Sequence, residues 1–366
     1  ATVALDSLSN DEVSEFFCAF GFEATEEPVR LYGGYSSSNF QVVGRRSGAG
    51  DSSKYLLKIS NTALSVEDLE HQLFVMDHLR TSSFPTNYPH ASASGSFWVE
   101  KNGRLAMLLD FVSGKPGSEV LGAEEEKADR LLSELSATLA KLHKVSWPSD
   151  TKIRDISTGF PVCNTGDLLK GEELEQLKAD ERFAGHSLVA LVHGRISWLR
   201  ELYKREVPWG LVHGDAYLDN TLYEDGPRGS GECRLLALID WEDSCVGPLV
   251  LDLAVCASAC CFTASNDLII PRLSVLLREY LRHRSLSAVE AESFVDFMAA
   301  GALACSFCRF CEFNVKQLDS DAKAKNSYKI MADRAELLLS GSAREAACAA
   351  VHEVMQAGSG LAEDKL

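Results

Sequence analysis

The sequence predicts an α+β fold of two lobes: a mainly β N-terminal lobe with one key helix, and a helical C-terminal lobe. Strand-like apolar runs separated by turn residues dominate positions 29–111, whereas helical periodicity prevails from Glu124 onward. A chain of 366 residues is also too long for one small core. We therefore expect an N-lobe at 1–110, a helical lobe at 111–345, and a peripheral helix with a frayed tail at 346–366.

The N-terminal lobe begins with a short amphipathic helix, predicted at Ser9–Phe20, whose first turn is acidic. Two strands follow at Val29–Tyr32 and Phe40–Val43, joined by a loop of small residues, Gly33–Asn39. Small residues allow a backbone to approach phosphate groups closely. The loop lacks the pattern Gly-x-Gly-x-x-Gly, so an ordinary hairpin connection is the alternative interpretation.

A lysine lies inside the third predicted strand, Tyr55–Ser60. Because Lys58 is flanked by apolar residues, its side chain is expected either on the solvent face of the sheet or above a ligand. The next predicted element is a helix at Val66–Met76. A hairpin over Phe97–Val99 and Leu105–Gly114 then leads toward the second lobe.

Helical periodicity marks the C-terminal lobe. Within Glu124–Val145, one helix face carries four leucines: Leu131, Leu135, Leu139 and Leu142. His143, at the end of this pattern, is expected to be a core histidine. Further helices are predicted at Leu188–Tyr203, Leu268–Arg284, Ser287–Phe313 and Asp321–Leu339. The segment Trp147–Gly171 is expected to be an insertion over a substrate pocket.

Two apolar runs of this lobe each end in an aspartate, at Leu211–Asp215 and Leu235–Asp240, and Asn220 follows five positions after Asp215. Phosphoryl transfer from ATP requires a carboxylate that receives the proton of the acceptor hydroxyl, and hard oxygen ligands that hold Mg²⁺ on the phosphates. The spacing predicts Asp215 as the catalytic base and Asn220 and Asp240 as metal ligands. The alternative is that these aspartates are turn or helix-cap residues.

The same residues carry a family resemblance. His213-Gly214-Asp215, then Asn220, and Ile239-Asp240-Trp241 downstream resemble the aminoglycoside phosphotransferase and choline kinase superfamily of small-molecule kinases. The resemblance implies a bilobal protein-kinase-like fold and an enzyme that uses ATP and Mg²⁺. It also implies supporting roles for His213 and for Asp252, which in that family opens a helix behind the metal loop.

Kinase chemistry also requires residues that hold the nucleotide. Lys58 is expected to contact the α- and β-phosphates, with Glu70 orienting it. We choose Glu70 over Glu67 because it lies beside the apolar Leu69. Ser38-Asn39-Phe40 is similar to a segment of homoserine kinase-like proteins, so the loop before it is expected to cover the nucleotide. The remaining expected nucleotide contacts are Gly34, Ser37 and Asn39, together with the backbone at Leu109 and Phe111 against the adenine.

Arg309 indicates which class of molecule accepts the phosphoryl group. It is the single arginine of the aromatic and cysteine-rich segment 294–313. A guanidinium matches a carboxylate in two hydrogen bonds, so Arg309 is a candidate clamp for a substrate carboxylate. The alternative is a structural ion pair with Glu312 or Asp296.

Two further resemblances narrow the acceptor. The segments 55–62 and 306–311 look like hydroxylysine kinases, and the helical order around Arg309 looks most like homoserine kinases. Both phosphorylate a hydroxyl on an amino acid, so transfer to a small amino acid or amino alcohol is expected. Aminoglycoside or choline phosphorylation is the alternative within the class. A catalytically silent scaffold or assembly subunit is the alternative from another class.

Composition limits the partners. A formal net charge of −17 repels phosphate backbones and anionic lipid surfaces, which argues against nucleic acid and membrane partners. A small cationic or zwitterionic substrate is compatible with that charge. No apolar run approaches the roughly 20 residues needed to span a bilayer, and no signal-peptide pattern opens the sequence.

Six of the eleven cysteines cluster at 256–261 and 305–311. The second cluster contains Cys-x2-Cys-x2-Cys, a partial iron-sulfur pattern. Because these positions lie on one face of an apolar helix, buried free thiols are the favoured interpretation. The odd total and the clustering indicate a reducing intracellular compartment, either the cytoplasm or an organelle entered with a targeting peptide that is later removed.

Overall fold

The computed structural model describes residues 8–32, 37–46, 48, 50–60, 65–146, 168–227, 230, 232–316 and 327–363. The chain forms two compact units, Ala1–Ser113 and Gly114–Leu366. The boundary follows the hairpin that we expected to lead out of the N-terminal lobe. Gly34 and positions 147–167 of the predicted insertion lie outside the described residues.

The described residues of the first unit form one antiparallel sheet and two helices. Helix α1, Asn10–Ala19, begins with the N-cap Ser9 in a capping box with Glu12, and helix α2, Val66–Arg80, begins after the N-cap Ser65. The strands are β1 Phe22–Ala24, β2 Val29–Leu31, β3 Ser37–Arg46, β4 Ser53–Ser60, β5 Trp98–Lys101 and β6 Arg104–Asp110. Hydrogen bonds order them β1-β3-β4-β6-β5, and β2 also pairs with β3.

One face of this sheet packs against α1. The core side chains are Val13, Phe16, Phe17 and Phe20 of α1 with Phe40, Val42, Leu57, Ile59, Ala106 and Leu108 of the strands. Successive side chains of a strand point to opposite faces, so the residues between these core positions lie on the other face. That second face carries Ser37, Asn39 and Lys58, and the register places Asn39 directly opposite Lys58.

Strand β3 begins earlier than the sequence predicted. Its pairing with β4 continues without interruption from Gly44 opposite Ser53 to Ser37 opposite Ser60. The predicted loop Gly33–Asn39 was therefore placed too far along the chain, because Ser37 and Asn39 are strand residues. Their weak intrinsic strand preference is overridden by the backbone hydrogen bonds that β4 supplies.

The second unit is mainly helical, with one three-stranded and one two-stranded antiparallel sheet. Its strands are β7 Lys115–Pro116, β8 Trp209–Val212, β9 Thr221–Asp225, β10 Cys233–Leu238 and β11 Cys245–Pro248. Its helices are α3 Gly117–Ala123, α4 Ala128–Leu142, α5 Glu172–Ala179, α6 Ser187–Leu202, α7 Leu249–Cys260, α8 Ile270–His283, α9 Ala288–Phe310, α10 Tyr328–Leu339 and α11 Ser342–Glu363. The four predicted core leucines of α4 are fully buried. The predicted α+β class is confirmed.

Helix α9 is the central helix of this unit and packs against α7 and α10. A β-carbon on Gly301 would lie 2.9 Å from Val255 Cγ2, so glycine allows α7 and α9 to approach closely. Together with the π-helical turn Cys311–Val315, α9 is the one helix in the described part of the chain with the length and apolar composition of a membrane span. Most of it is buried inside the protein, as expected for a core helix.

The last helix differs from the predicted peripheral helix at 346–366. Helix α11 begins at Ser342 and remains helical to Glu363, beyond the expected fraying at Ala357. Its side chains at 347, 350, 351 and 354 are buried, and it packs against α8. This spacing forms one apolar stripe along a helix, which is why the helix is integrated into the unit.

Candidate active site

The candidate site is built from residues 213–220, which we call the acidic loop, and from the turn that begins at Asp240. Strand β8 enters the acidic loop and pairs with β11, which follows the turn. Strand β9 leaves the loop, and its first residue, Thr221, lies opposite Leu238 near the end of β10. The two sheets therefore bring together the two aspartate-ended runs of the sequence.

Ile239 fixes Asp240 beside the acidic loop. The Ile239 amide donates to the Asn220 carbonyl oxygen at 2.9 Å, and His213 Nε2 donates to the Ile239 carbonyl oxygen at 2.9 Å. The other ring nitrogen of His213, Nδ1, accepts from the Asp215 amide at 3.3 Å. His213 is fully buried against the Trp241 ring, so it supports the loop and does not face a ligand.

Asn220 and Asp215 are joined by the Asn220 amide nitrogen. Its Nδ2 donates to the Asp215 carbonyl oxygen at 2.9 Å and to Asp215 Oδ2 at 3.0 Å. Within the described chain, Asp215 Oδ1 and Asn220 Oδ1 receive no hydrogen bond. Asp215 Oδ1 can therefore accept a proton, and Asn220 Oδ1 can bind a cation.

Two backbone conformations at this site are unusual. Gly214 has a φ of +86°, and a β-carbon there would lie 2.3 Å from the Asp243 carbonyl oxygen, so only glycine fits. Asp240 has a φ of +70°, a left-handed conformation that is uncommon for a residue with a side chain. Such conformations are concentrated at functional sites, where the surrounding structure holds the strain.

The Asp252 carboxylate anchors the backbone of the acidic loop. It lies in α7 and is fully buried, and it accepts the amides of His213 at 2.7 Å and Gly214 at 2.8 Å. His143 Nε2 donates a third hydrogen bond to it at 3.1 Å. Burial acts to raise the pKa of Asp252, but the hydrogen bonds from His143 and the His213 amide lower it. The expected supporting position of Asp252 and the expected core position of His143 agree with this geometry.

The environment of Asp215 favours its protonated form. Burial is the main cause that raises the pKa of Asp215, and the negative charge of Asp240 adds to the effect. Arg309 and the hydrogen bond from Asn220 act in the opposite direction. A raised carboxyl pKa is typical of a group that must accept a proton during a reaction.

Arg309 lies near Asp215 and forms no ion pair with the two acids weighed from the sequence. Glu312 pairs with Lys316 at 2.6 Å, and Asp296 pairs with Arg205 and Arg344. Burial acts to lower the pKa of Arg309, but its acidic neighbours, Asp215 among them, outweigh this and raise it. No hydrogen bond or ion pair joins Arg309 to another residue of the described chain, so its guanidinium donors are available to a ligand.

Two neighbours of this region were missed from the sequence. Tyr217 and Cys305 both lie close enough to Arg309 and Asp215 to interact electrostatically with them. Cys305 precedes Arg309 by four positions on α9, so helical spacing could have placed the two on one face. Tyr217 lies in an irregular loop, and no spacing rule indicates its direction.

The predicted nucleotide residues lie in the first unit. Lys58 is half-buried on the sheet face opposite the α1 core. Glu70 is exposed, whereas Leu69 beside it is buried. The Glu70 carboxylate accepts from Trp98 Nε1 at 3.1 Å. In the sheet, Trp98 of β5 lies opposite Met107 of β6, and Met107 lies opposite Lys58 of β4. These three side chains therefore lie on the same face of the sheet.

The backbone of Leu109, one of the two expected adenine contacts, is engaged in strand pairing. The His90 amide donates to the Leu108 carbonyl oxygen at 2.8 Å, and the Asp110 amide donates to the Tyr88 carbonyl oxygen at 2.9 Å. In this antiparallel pattern the backbone groups of Leu109 point toward β4, where it pairs with Leu56. The strand ends at Asp110, so Phe111 is the first of the two expected residues whose backbone lies beyond the ladder.

Comparison with known proteins decides the family. A model of the phosphotransferase enzyme family matches residues 28–286, which is most of the chain. The chain belongs to the phosphotransferase enzyme family. It is therefore an enzyme of the small-molecule kinase class, and the resemblance found in the acidic loop is confirmed.

Curated relatives of this phosphotransferase are named homoserine kinases. The one from Rhodopseudomonas palustris (strain BisA53) is 25% identical over 303 residues, covering 81% of this chain and 82% of the relative. The one from Methylocella silvestris is 28% identical over 313 residues, covering 85% of this chain and 88% of the relative. The similarity extends through both units.

Solved structures confirm the protein-kinase-like fold. An amicoumacin kinase in complex with AMP-PNP and Ca²⁺ superposes with a TM-score of 0.62 at 13% identity, covering 90% of this chain and 94% of that chain. A microcompartment-associated aminopropanol kinase superposes with a TM-score of 0.61 at 15% identity, covering 90% and 96% of the two chains.

The donor set of this phosphotransferase fits a divalent cation that is shared with phosphates. In the described residues, no group of three or more His, Cys, Asp or Glu side chains could hold a metal alone. Asn220 Oδ1 and the Asp240 carboxylate are hard oxygen donors near the partly buried Asp215. Mg²⁺ is commonly held by one or two such protein oxygens together with substrate phosphates. The cysteines among the described residues are free thiols.

Proposed function

We propose that this phosphotransferase transfers the γ-phosphoryl group of ATP to the hydroxyl of a small amino acid of the homoserine or hydroxylysine type. The observation that carries the acceptor class is Arg309, a partly buried guanidinium beside the Asp215 carboxylate with no ion-pair partner in the described chain. A zwitterionic acceptor supplies a carboxylate for Arg309 and brings its hydroxyl to Asp215.

The chemistry is divided among three side chains of the second unit. Asp215 Oδ1 accepts the proton of the acceptor hydroxyl, because Oδ2 is held by Asn220. Asn220 Oδ1 and Asp240 would hold Mg²⁺, and the bound ion would supply positive charge to the phosphates. His213 and Asp252 fix the loop that carries the base.

Residues of the first unit hold the nucleotide in this proposal. Lys58 contacts the phosphates, and Ser37 and Asn39 extend the same sheet face. Glu70 supports that face through its hydrogen bond with Trp98. The backbone beyond Asp110, from Phe111 onward, meets the adenine.

Three comparisons support the proposal. The two relatives named homoserine kinase align with 81% and 85% of the chain. The amicoumacin kinase structure contains an ATP analogue and a divalent cation, and the aminopropanol kinase is named for an amino alcohol. The net charge of −17 agrees with a small acceptor that carries an ammonium group. We place the reaction in a reducing compartment, in agreement with the free thiols.

The first experiment is a screen of ADP release with Mg²⁺-ATP over homoserine, hydroxylysine, aminopropanol, choline and kanamycin. We expect the highest kcat/KM with one of the two amino acids. Efficient phosphorylation of choline or kanamycin alone would show that Arg309 does not select the acceptor. No ADP release above background with any compound would favour the silent scaffold.

The substitution Arg309→Lys tests the clamp. It should raise KM for the amino acid about tenfold or more, because lysine keeps the charge and loses the two-pronged geometry, whereas KM for ATP stays unchanged. Arg282→Lys is the control, since Arg282 is an exposed arginine paired with Glu279 on α8. An equal rise of KM for ATP would indicate a general structural effect of the Arg309 substitution.

A further inference from the structure

A series of buried hydrogen bonds connects helix α8 with the acidic loop. Arg284 Nη1 donates to Tyr280 Oη at 3.2 Å, and Tyr280 Oη lies 2.5 Å from His143 Nδ1. His143 Nε2 lies 3.1 Å from Asp252 Oδ2, the oxygen that also accepts the His213 amide at 2.7 Å. The side chains of Tyr280, His143 and Asp252 are fully buried, so water does not replace these bonds.

The hydrogen-bond donors of this series determine which atoms of Tyr280 and His143 carry protons. A guanidinium can only donate, so Tyr280 Oη accepts from Arg284 and has its one hydrogen for His143 Nδ1. Burial raises the pKa of Tyr280, which keeps this hydrogen on the oxygen. His143 Nδ1 is then an acceptor, and the ring carries its proton on Nε2, directed at Asp252.

The far end of the series is anchored in α9. Arg284 forms an ion pair with Glu290 at 2.9 Å, and both side chains are nearly buried. Glu290 also accepts the Ser287 amide at 2.8 Å in the capping box that begins α9. Arg284 is therefore held in place from both sides, by a ring hydroxyl and by a capping carboxylate.

We propose that Tyr280 and Arg284 are positioning residues for the acidic loop. They hold His143 in the tautomer that donates to Asp252, and Asp252 in turn holds the amides of His213 and Gly214 next to Asp215. Without the Tyr280 hydroxyl, the proton of His143 is no longer confined to Nε2. The tautomer with a bare Nε2 would face the Asp252 carboxylate with a lone pair and weaken its grip on the loop.

Hydrogen exchange measured by mass spectrometry tests this without any acceptor. In Tyr280→Phe, which keeps the ring that packs against His143, amides in a peptide spanning 211–217 should exchange about tenfold faster. Tyr223→Phe is the matched control, because Tyr223 is equally buried and its hydroxyl donates to the Leu131 carbonyl oxygen at 2.7 Å. In the control, exchange of the 211–217 peptide should stay at the wild-type rate.

Kinetics and histidine tautomers provide two further readouts. In Tyr280→Phe, kcat should fall on the order of 10–100-fold with KM for ATP unchanged, the range typical of residues that orient a functional group. The kinetic part rests on the proposed role of Asp215, whereas the exchange part does not. Nitrogen-15 NMR of labelled histidine should show one Nε2-protonated His143 in the wild type and a tautomer mixture in Tyr280→Phe.

The proposal predicts coupling along the series. In a His143→Asn background, Tyr280→Phe should change kcat and loop exchange little further, because its route to the loop has been removed. If Tyr280→Phe fails to fold, Arg284→Lys carries the same measurements with a smaller expected effect. Unchanged exchange of the 211–217 peptide, or an equal increase in Tyr223→Phe, would overturn the proposal.

Discussion

The surroundings of Asp215 disfavour the charged form of its carboxyl group. Burial raises its pKa, and the nearby Asp240 carboxylate adds to the effect. The folded protein therefore binds this proton more tightly than the unfolded chain does. The stability contributed by this difference is fully present below the unfolded pKa, near 3.9, and is lost as pH rises through the raised folded pKa.

Asp215→Asn should consequently stabilise the protein at neutral pH by about 0.5–2 kcal/mol, as substitutions that relieve a destabilised functional site commonly do. The gain should shrink as pH falls toward about 4, where the wild-type carboxyl is protonated. Thermal unfolding of both proteins across this pH range measures the gain. Asp333→Asn, an exposed substitution in α10, should change Tm little at any pH. A gain of equal size at all pH values would show that the charge of Asp215 is not its cause.

Asp240 and Asn220 differ in charge, and their substitutions should differ accordingly. Asp240→Ala should abolish the Mg²⁺-dependent part of ATP binding, whereas Asn220→Ala should weaken it less, because an anionic carboxylate is the stronger ligand for a hard cation. Calorimetry with ATP in the presence and absence of Mg²⁺ measures both effects. Equal Mg²⁺-ATP affinity in wild type and Asp240→Ala would show that Asp240 is not a metal ligand.

The grouping of several individual site residues could be predicted from the sequence. Asp215, Asn220 and Asp240 are predictable because short loops and strand pairing fix their relative positions. The place of Arg309 is not, because it depends on how α9 packs within the unit. Its weighed partners, Glu312 and Asp296, lie on or next to the same helix, but each pairs with another cation.

Among the helices, α7 links the acidic loop to the body of its unit. Asp252 lies in its first turn, and two arginines cover its C-terminal carbonyl groups. Arg334 of α10 donates to the carbonyl oxygens of Ser258 and Ala259 at 3.0 Å, and Arg272 of α8 donates to that of Cys260 at 3.3 Å. Carbonyl groups at a helix C-terminus lack partners within the helix and attract cations.

Arg334→Met should therefore destabilise the protein by about 2–4 kcal/mol, because the side chain is buried and several carbonyl oxygens lose a charged donor. Arg282→Met is the control, since its exposed ion pair with Glu279 should contribute about 0–1 kcal/mol. Urea unfolding of both variants gives the comparison. If Arg334→Met lowers the free energy of unfolding by less than the control does, water replaces Arg334 as the donor to these carbonyl groups.

Element bounds were predicted where periodicity or a cap was strong. Helix α1 begins within one residue of its predicted start, and α4 buries its leucine face. The start of β3 was missed because serine and asparagine prefer turns, and only pairing with β4 makes Ser37–Asn39 a strand. The length of α11 was missed because alanine-rich helices lack a strong apolar signal, although alanine packs well in close helix contacts.

For the whole chain, the family match spans residues 28–286 and so includes parts of both units, and the Rhodopseudomonas palustris relative aligns with 81% of the chain. The first unit carries the proposed nucleotide residues on one sheet face, and the second carries the acidic loop and Arg309. Pairing between distant side chains could not be predicted from sequence, as the Glu70 hydrogen bond with Trp98 shows. The presence of the proposed base, the proposed metal ligands and Lys58 argues for an active enzyme over a silent scaffold.

The most direct test of the central claim is the product formed from Mg²⁺-ATP and homoserine or hydroxylysine, followed by phosphorus-31 NMR for wild type and Asp215→Asn. The wild type should form one phosphomonoester of the amino acid per ADP. Asp215→Asn should form it about 10²–10⁴-fold more slowly, with ATP affinity nearly unchanged. A phosphomonoester formed at the wild-type rate by Asp215→Asn would contradict the assignment of the base and with it the proposed mechanism.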